Sequence, residues 1–136
     1  MRPSLDQYFI SIAEAVSQRG TCPKARVGSL LVKDNSIIST GYNGAPSGMP
    51  HCIDNGCVEI AGHCKSSVHS EHNAILQAAK HGNSTNGSVL YTTHFPCVDC
   101  LKFLKNAGVS TIRYKHPYKN NENFINLSQF DIQQII

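Results

Sequence analysis

The pattern His69-x-Glu71, followed by Pro96-Cys97-x-x-Cys100, constrains this chain more than any other stretch. His69 offers an imidazole nitrogen, and Cys97 and Cys100 offer two thiolates, a donor set suited to zinc. Three protein ligands leave one position of a tetrahedral ion open, which marks a catalytic rather than a structural site. Water in that position is acidified toward neutral pH, and Glu71 beside it has the chemistry of a proton carrier. The fold must therefore bring two distant segments to one point. In an ideal helix His69 and Glu71, at i and i+2, point apart, so His69 belongs at the very first position of a helix that runs to about His81. Ala74, Ile75, Ala78 and Ala79 form its apolar stripe. Pro96 is expected in the first turn of a second helix, with Cys97 and Cys100 on one face and the helix dipole favouring thiolate. Two helix N-termini meeting over one metal is the expected arrangement. Each half of the pattern alone is weak, because Cys-x-x-Cys is often half a structural zinc site. The order, the proline, and a gap filled by one helix and one strand make the combination sharp.

The chain has 136 residues, enough for a single domain over 1–136 with one core. Its 40% hydrophobic and 15% charged residues are those of an ordinary globular protein. The net charge of +3 (12 Lys+Arg less 9 Asp+Glu) is too mild to argue for nucleic acid; a basic pocket for a phosphorylated small molecule explains it equally well. No apolar run approaches the ~18 residues needed to cross a membrane. Asp6, Gln7 and Glu14 interrupt the N-terminal apolar residues, against a signal peptide. The expectation is a soluble, cytoplasmic protein with no membrane or nucleic-acid partner, whose six cysteines serve metal more than disulfides.

In chain order, Ser4 to Gln7 reads as a capping box for a helix that ends at Gly20. Leu5, Phe9, Ile12, Ala13 and Val16 recur along it at helical spacing. Val27–Lys33 and Ile37–Tyr42 form a β-hairpin across Asp34-Asn35-Ser36. A glycine-rich loop follows from Gly41 to Gly48, and Met49 to Val68 shows no periodicity, so something should tie it down. After the first site helix, Ser88–Thr93 is a strand, the second site helix runs to about Ala107 with Gly108 as its C′ residue, and Ser110–Tyr114 is a strand. Tyr118–Asn126 is a polar loop, and Leu127–Ile136 a short terminal helix with Phe130, Ile132 and Ile135 as its apolar positions. This order makes an α/β fold of three layers, α-β-α, around a mixed sheet of about five strands.

From about Ser4 to Tyr118 the chain resembles the deoxycytidylate deaminases of the zinc-dependent cytidine deaminase superfamily. The resemblance is carried by Val27-Gly28, by Gly41-Tyr42-Asn43-Gly44-Ala45-Pro46-Ser47-Gly48, by His69-Ser70-Glu71-His72-Asn73-Ala74-Ile75 and by Tyr91-Thr92-Thr93-His94-Phe95-Pro96-Cys97-Val98-Asp99-Cys100. The zinc motif identifies the superfamily, and the Gly-Tyr-Asn-Gly-x-Pro loop narrows it to this branch. Ser70 and His72 depart from the family pattern, where alanine and a Met, Leu or Gln are usual. The resemblance implies hydrolytic deamination of dCMP to dUMP, the precursor of thymidylate. It places Asn43 against the deoxyribose or base, Thr92, Thr93 and His94 on the pocket wall, and Arg26 and Tyr118 at the 5′-phosphate; each has a plain structural alternative, such as a turn role for Asn43.

It also implies a second, structural zinc. Cys22 and Cys52 fit that pattern, and Cys57 and Cys64 offer the other two ligands, with His51 and His63 as competitors. A site of four cysteines would be closed, and would hold the irregular stretch together. The family is commonly hexameric, activated by dCTP and inhibited by dTTP. The resemblance puts Asn43, Gly44, Pro46, Ser47 and Gly48 at the regulatory nucleotide, where glycine-loop N–H groups can cradle phosphate. The alternatives are dCTP as an additional substrate, a deaminase of tRNA or free nucleosides on the same scaffold, and a non-catalytic zinc module; Glu71 speaks against the last.

Overall fold

The computed structural model describes residues 1–60, 63–117 and 126–136. Ser4 opens the first helix, α1 (Leu5–Ser17), its hydroxyl accepting a hydrogen bond from the Gln7 N–H at 3.2 Å. The Gln7 side chain does not complete the capping box. Its amide donates instead to the Ile136 carbonyl, 3.3 Å away, tying the start of the helix to residue 136. α1 stops at Ser17, ahead of Gly20. Strands β1 (Gly28–Lys33) and β2 (Ser36–Tyr42) form the expected hairpin. Asp34 and Asn35 take φ of 51° and 60°, the paired left-handed residues that a two-residue hairpin turn with the right twist requires.

The stretch without periodicity holds a short helix α2 (Cys52–Asn55) and an antiparallel ribbon of β3 (Glu59–Ile60) and β4 (His63–Cys64). Then come α3 (Ser70–Lys80), β5 (Val89–His94), α4 (Val98–Asn106) and β6 (Thr111–His116). Gly108 follows the C-cap of α4 at φ 85°, as its C′ role demands. The sequence reading of the last segment is corrected: Leu127–Gln129 is one 3₁₀ turn, and Asp131–Gln134 is a strand, β7, not a helix. β7 pairs in parallel with the open edge of β6, so its backbone is satisfied by the sheet. Its flanking apolar residues obey a period of two: Phe130 and Ile132 join one face of the sheet, and Ile135 the other. Tyr118 and most of its loop lie outside the described residues.

The five-stranded sheet has the order β2-β1-β5-β6-β7, antiparallel across β2, β1 and β5 and parallel across β5, β6 and β7. This is the expected three-layer arrangement. β1 is buried on both faces, so its apolar residues alternate between two cores rather than between core and water. Leu30 and Val32 pack with Phe9, Ile10 and Ala13 of α1; Leu31 packs with Ala74 and Ala78 of α3 and Leu101 and Leu104 of α4. Each fully buried leucine contributes about 1.5–3 kcal/mol of transfer free energy. The antiparallel and parallel halves of the sheet meet at β5, and α4 starts just beyond its carboxyl end, the usual place for a site in an open α/β sheet.

Two glycines set how closely the layers approach. A Cβ on Gly28 would lie 2.1 Å from the Ala13 carbonyl oxygen of α1, and one on Gly41 would lie 2.2 Å from the Ser70 carbonyl oxygen of α3. The first turn of α3 thus rests directly on β2. Because the obstacle at Gly28 is helix backbone, Gly28→Ala is expected to lower the thermal midpoint by about 10 °C, measured by circular dichroism.

Candidate active site

His69 is the N-cap of α3, with extended backbone (φ −64°, ψ 149°) and no side-chain capping bond, as the i, i+2 argument requires. Cys97 is likewise the N-cap of α4 (φ −70°, ψ 169°). Pro96 therefore stands one position before the cap, not in the first turn. Cys100 lies in that first turn. The His69 Nδ1 is 3.5 Å from the Cys97 sulfur and 3.4 Å from the Cys100 sulfur. Two donors on a tetrahedral zinc, with bonds of ~2.0 Å to nitrogen and ~2.3 Å to sulfur, stand about 3.5 Å apart, so the triangle is already the size of the ion it would hold. The Cys97 thiol is pushed down to about 4, first by its hydrogen bond with Cys100 and then by His69; bonding to Cys97 in turn raises Cys100 and His69.

Cys22, Cys52, Cys57 and Cys64 form a second group, with all four sulfurs within 4.8 Å of one another. The Cys22–Cys57 and Cys52–Cys64 pairs are 3.7 and 3.4 Å apart, close to the ~3.8 Å edge of a tetrahedral zinc–thiolate site. Burial pushes Cys64 up, but hydrogen bonds with Cys52 and Cys57 and from the Ser66 and Ser67 backbone outweigh it and bring the thiol down to about 7. His51 is engaged elsewhere: its Nδ1 accepts from the Ala45 N–H at 3.2 Å and lies 3.0 Å from the Thr21 hydroxyl.

Between the two groups lies a cleft of roughly 380 Å³, lined among others by Cys22, Lys24, Asn43, Cys64, Glu71 and His94. Glu71 is only 4% exposed, yet faces this cleft, and its Oε1 accepts from the Ser70 hydroxyl. His94 also lines the cleft; burial, and then the neighbouring His116, push its imidazole down, toward the neutral form. Thr93 stands behind it, its hydroxyl accepting from the Gly28 N–H at 3.1 Å and lying 2.8 Å from His94 Nδ1. Thr92 is fully buried and donates to the His94 carbonyl at 2.9 Å, so both threonines support the wall rather than line it. Arg26 is exposed and lies off the lining, whereas Lys24 lies on it, paired with Glu59 at 2.6 Å.

Asn43 lines the cleft and clamps the 25–27 segment: its Oδ1 accepts from the Val27 N–H at 2.8 Å, and its Nδ2 donates to the Ala25 carbonyl at 2.7 Å. Gly44 bridges to Val68, and Pro46, Ser47 and Gly48 are exposed. Sequence reasoning missed Lys24, and also Ser29, a fully buried serine in the otherwise apolar Leu30-Leu31-Val32 strand. That lone hydroxyl among apolar neighbours was the signal available. Among the described residues, no helix is long and apolar enough to cross a membrane.

Comparison with known proteins supplies the relatives. A family model described as "Cytidine and deoxycytidylate deaminase zinc-binding region" matches residues 3–116. ComE operon protein 2 of Bacillus subtilis (strain 168) is 42% identical over 120 residues, covering 88% of this chain and 64% of the relative. The deoxycytidylate deaminase of Schizosaccharomyces pombe is 34% identical over 136 residues, covering 94% of this chain and 42% of that enzyme. This chain thus spans less than two thirds of the length of both relatives. The crystal structure of dCMP deaminase from the cyanophage S-TIM5 in complex with dCMP and dUMP superposes with a TM-score of 0.85 at 32% identity, covering 99% of each chain.

Asn43→Ala leaves the Val27 N–H without its acceptor, and is expected to cost about 1–3 kcal/mol in urea unfolding through loosening of the 25–27 segment.

Proposed function

The chain belongs to the cytidine and deoxycytidylate deaminase zinc-binding family, and on that premise we propose that it hydrolyses dCMP to dUMP and ammonia. The observation that carries this reading is the His69–Cys97–Cys100 triangle, sized for a tetrahedral ion and opening on a cleft that Glu71 shares. His69, Cys97 and Cys100 would hold the catalytic zinc, which would supply Lewis acidity toward water at neutral pH. Glu71 moves the protons. It takes one from the attacking water and gives it to the ring nitrogen N3 as the oxygen bonds to C4. It then takes the proton of the new C4 hydroxyl and delivers it to the amino group, so that the carbonyl forms as the C4–N bond breaks and ammonia leaves. Burial away from bulk water suits Glu71 to this exchange. The four thiols of Cys22, Cys52, Cys57 and Cys64 hold a second zinc, closed and structural, as the S–S spacing supports.

Neutral His94 faces the base. Asn43 holds the sugar side of the cleft, and Thr92 and Thr93 set the wall behind His94. Lys24 and Arg26, on the same loop, together with Tyr118, supply the charge and hydrogen bonds for a 5′-phosphate. The product, dUMP, feeds thymidylate synthesis.

Regulation by dCTP and dTTP belongs to the same reading, with the Asn43–Gly48 segment as the effector loop. Its support is local: Pro46 to Gly48 are exposed beside Asn43, which reaches the cleft. Assembly of copies into a hexamer draws support from the exposed apolar side chains of Ile53, Val58 and Ile60. Turnover of dCMP, dCTP and deoxycytidine, each with and without dTTP, separates the nucleotide specificities and reads the regulation directly.

Glu71→Gln is expected to retain zinc and the thermal midpoint while turnover falls about a thousandfold; turnover near that of the unmodified protein would overturn the mechanism. Zinc analysis is expected to find two ions per chain, falling to one in Cys57→Ser with a lower thermal midpoint, while the ion at His69 remains.

A further inference from the structure

Three hydroxyls lie behind Glu71, on three different elements. Ser70 is the first residue of α3, Ser29 is on β1 and Thr92 on β5, exposed by 1%, 0% and 0%. Burying a hydroxyl costs free energy unless it is paired, and these pair with one another. The Ser29 and Ser70 oxygens are 2.8 Å apart, and Ser29 and Thr92 are 3.1 Å apart. Glu71 Oε1 accepts from Ser70 and lies 3.5 Å from the Ser29 oxygen.

The proton count gives the chain a direction. An ionised carboxylate only accepts, so Ser70 spends its single proton on Glu71. Thr92 spends its own on the His94 carbonyl, 2.9 Å away. Ser29 has one proton to give and three acceptors in reach, Ser70 at 2.8 Å, Thr92 at 3.1 Å and Glu71 Oε1 at 3.5 Å, of which Ser70 is the nearest. A hydroxyl that accepts a hydrogen bond polarises the one it donates, so Ser29 strengthens the grip of Ser70 on the carboxylate. Both contacts fall on Oε1, which leaves Oε2 as the oxygen these hydroxyls do not hold.

We propose that Ser70 and, through it, Ser29 are positioning residues for Glu71: they fix one carboxylate oxygen against the sheet so that the other is presented to the substrate. Ser70 borders the cleft beside Glu71, and Ser29 lies off its lining. Their effect is on the orientation of the proton carrier, where small misplacements are costly in rate. Alanine at position 70 would fill the space without the hydroxyl. The inference rests on the reading of Glu71 as proton carrier in a dCMP deaminase.

The test uses the zinc-loaded protein and the variants Ser70→Ala, Ser29→Ala and the double variant. Each is characterised by zinc content, thermal midpoint, and kcat and KM for dCMP. Ser70→Ala is expected to lower kcat about tenfold with KM and zinc content unchanged. Ser29→Ala is expected to lower kcat less, and the double variant to match Ser70→Ala, because Ser29 acts through Ser70. A kcat within twofold of the unmodified protein in Ser70→Ala overturns the proposal. So does a loss that comes with zinc release or a matching rise in KM, since either would mean that the serines only pack the site. Absence of dCMP turnover in the unmodified protein would instead sink the underlying reading. The proposal is then decided by crystal structures of the unmodified protein and Ser70→Ala: a displaced Glu71 carboxylate sustains it, and superposable carboxylates overturn it.

Discussion

The site depends on two residues that stand at helix caps and are not spent on capping in the ordinary way. An N-cap residue keeps an extended backbone while the next residue is already helical, so its side chain leaves the helix axis at a different angle from those that follow. His69 and Cys97 both occupy this position, with ψ of 149° and 169°. That single conformational fact lets His69 and Glu71, two residues apart, serve one cleft, and lets Cys97 and Cys100 turn toward the same imidazole. It also sets both thiols at the positive end of a helix, where a sulfur anion is stabilised. The backbone N–H of Cys100 contributes directly to holding Cys97 ionised.

The sheet makes this convergence repeatable. β1 and β5 run side by side at its centre, and their registered pair Ser29 and Thr92 places two hydroxyls beneath the start of α3. Gly41 on β2 removes the side chain that would hold α3 away, so Ser70 drops to within reach of Ser29. The chemistry of the cleft is thus an outcome of layer spacing. A wider gap between α3 and β2 would detach the carboxylate from its supports while leaving every residue in its place along the sequence.

Much of this was readable beforehand, and the reasons differ from place to place. The cap position of His69 follows from angular spacing alone, and the hairpin follows from Asp34-Asn35-Ser36 between two apolar runs. The β7 strand was not readable, because Phe130, Ile132 and Ile135 fit a short helix and a strand end almost equally; what decides is the unpaired edge of β6, a partner no local window contains. The one-position error at Pro96 has a similar origin. Proline is welcome on either side of a cap, and only the demand that Cys97 reach His69 selects between them. The four-thiol group was an implication of the family resemblance, and setting His51 aside required seeing its Nδ1 engaged by Ala45 and Thr21. Lys24 escaped notice because a single lysine beside a cysteine carries no pattern. Its place on the cleft comes from the loop that Asn43 clamps.

The four-thiol group has one more consequence, which belongs to the statistics of the chain. Cys22, Cys52, Cys57 and Cys64 follow one another at intervals of 30, 5 and 7 residues, so an ion bound there would close three loops at once. Bringing the ends of the longest loop together costs a flexible chain on the order of 3 kcal/mol in entropy. An ion there would meet that cost with bonds rather than with apolar surface, and would hold residues 49–60, a segment with little buried hydrocarbon, by cross-linking in the polymer sense rather than by packing. Because Cys22 and Cys64 also form part of the cleft wall, the tightness of such a cross-link would set how rigid a wall the cleft has.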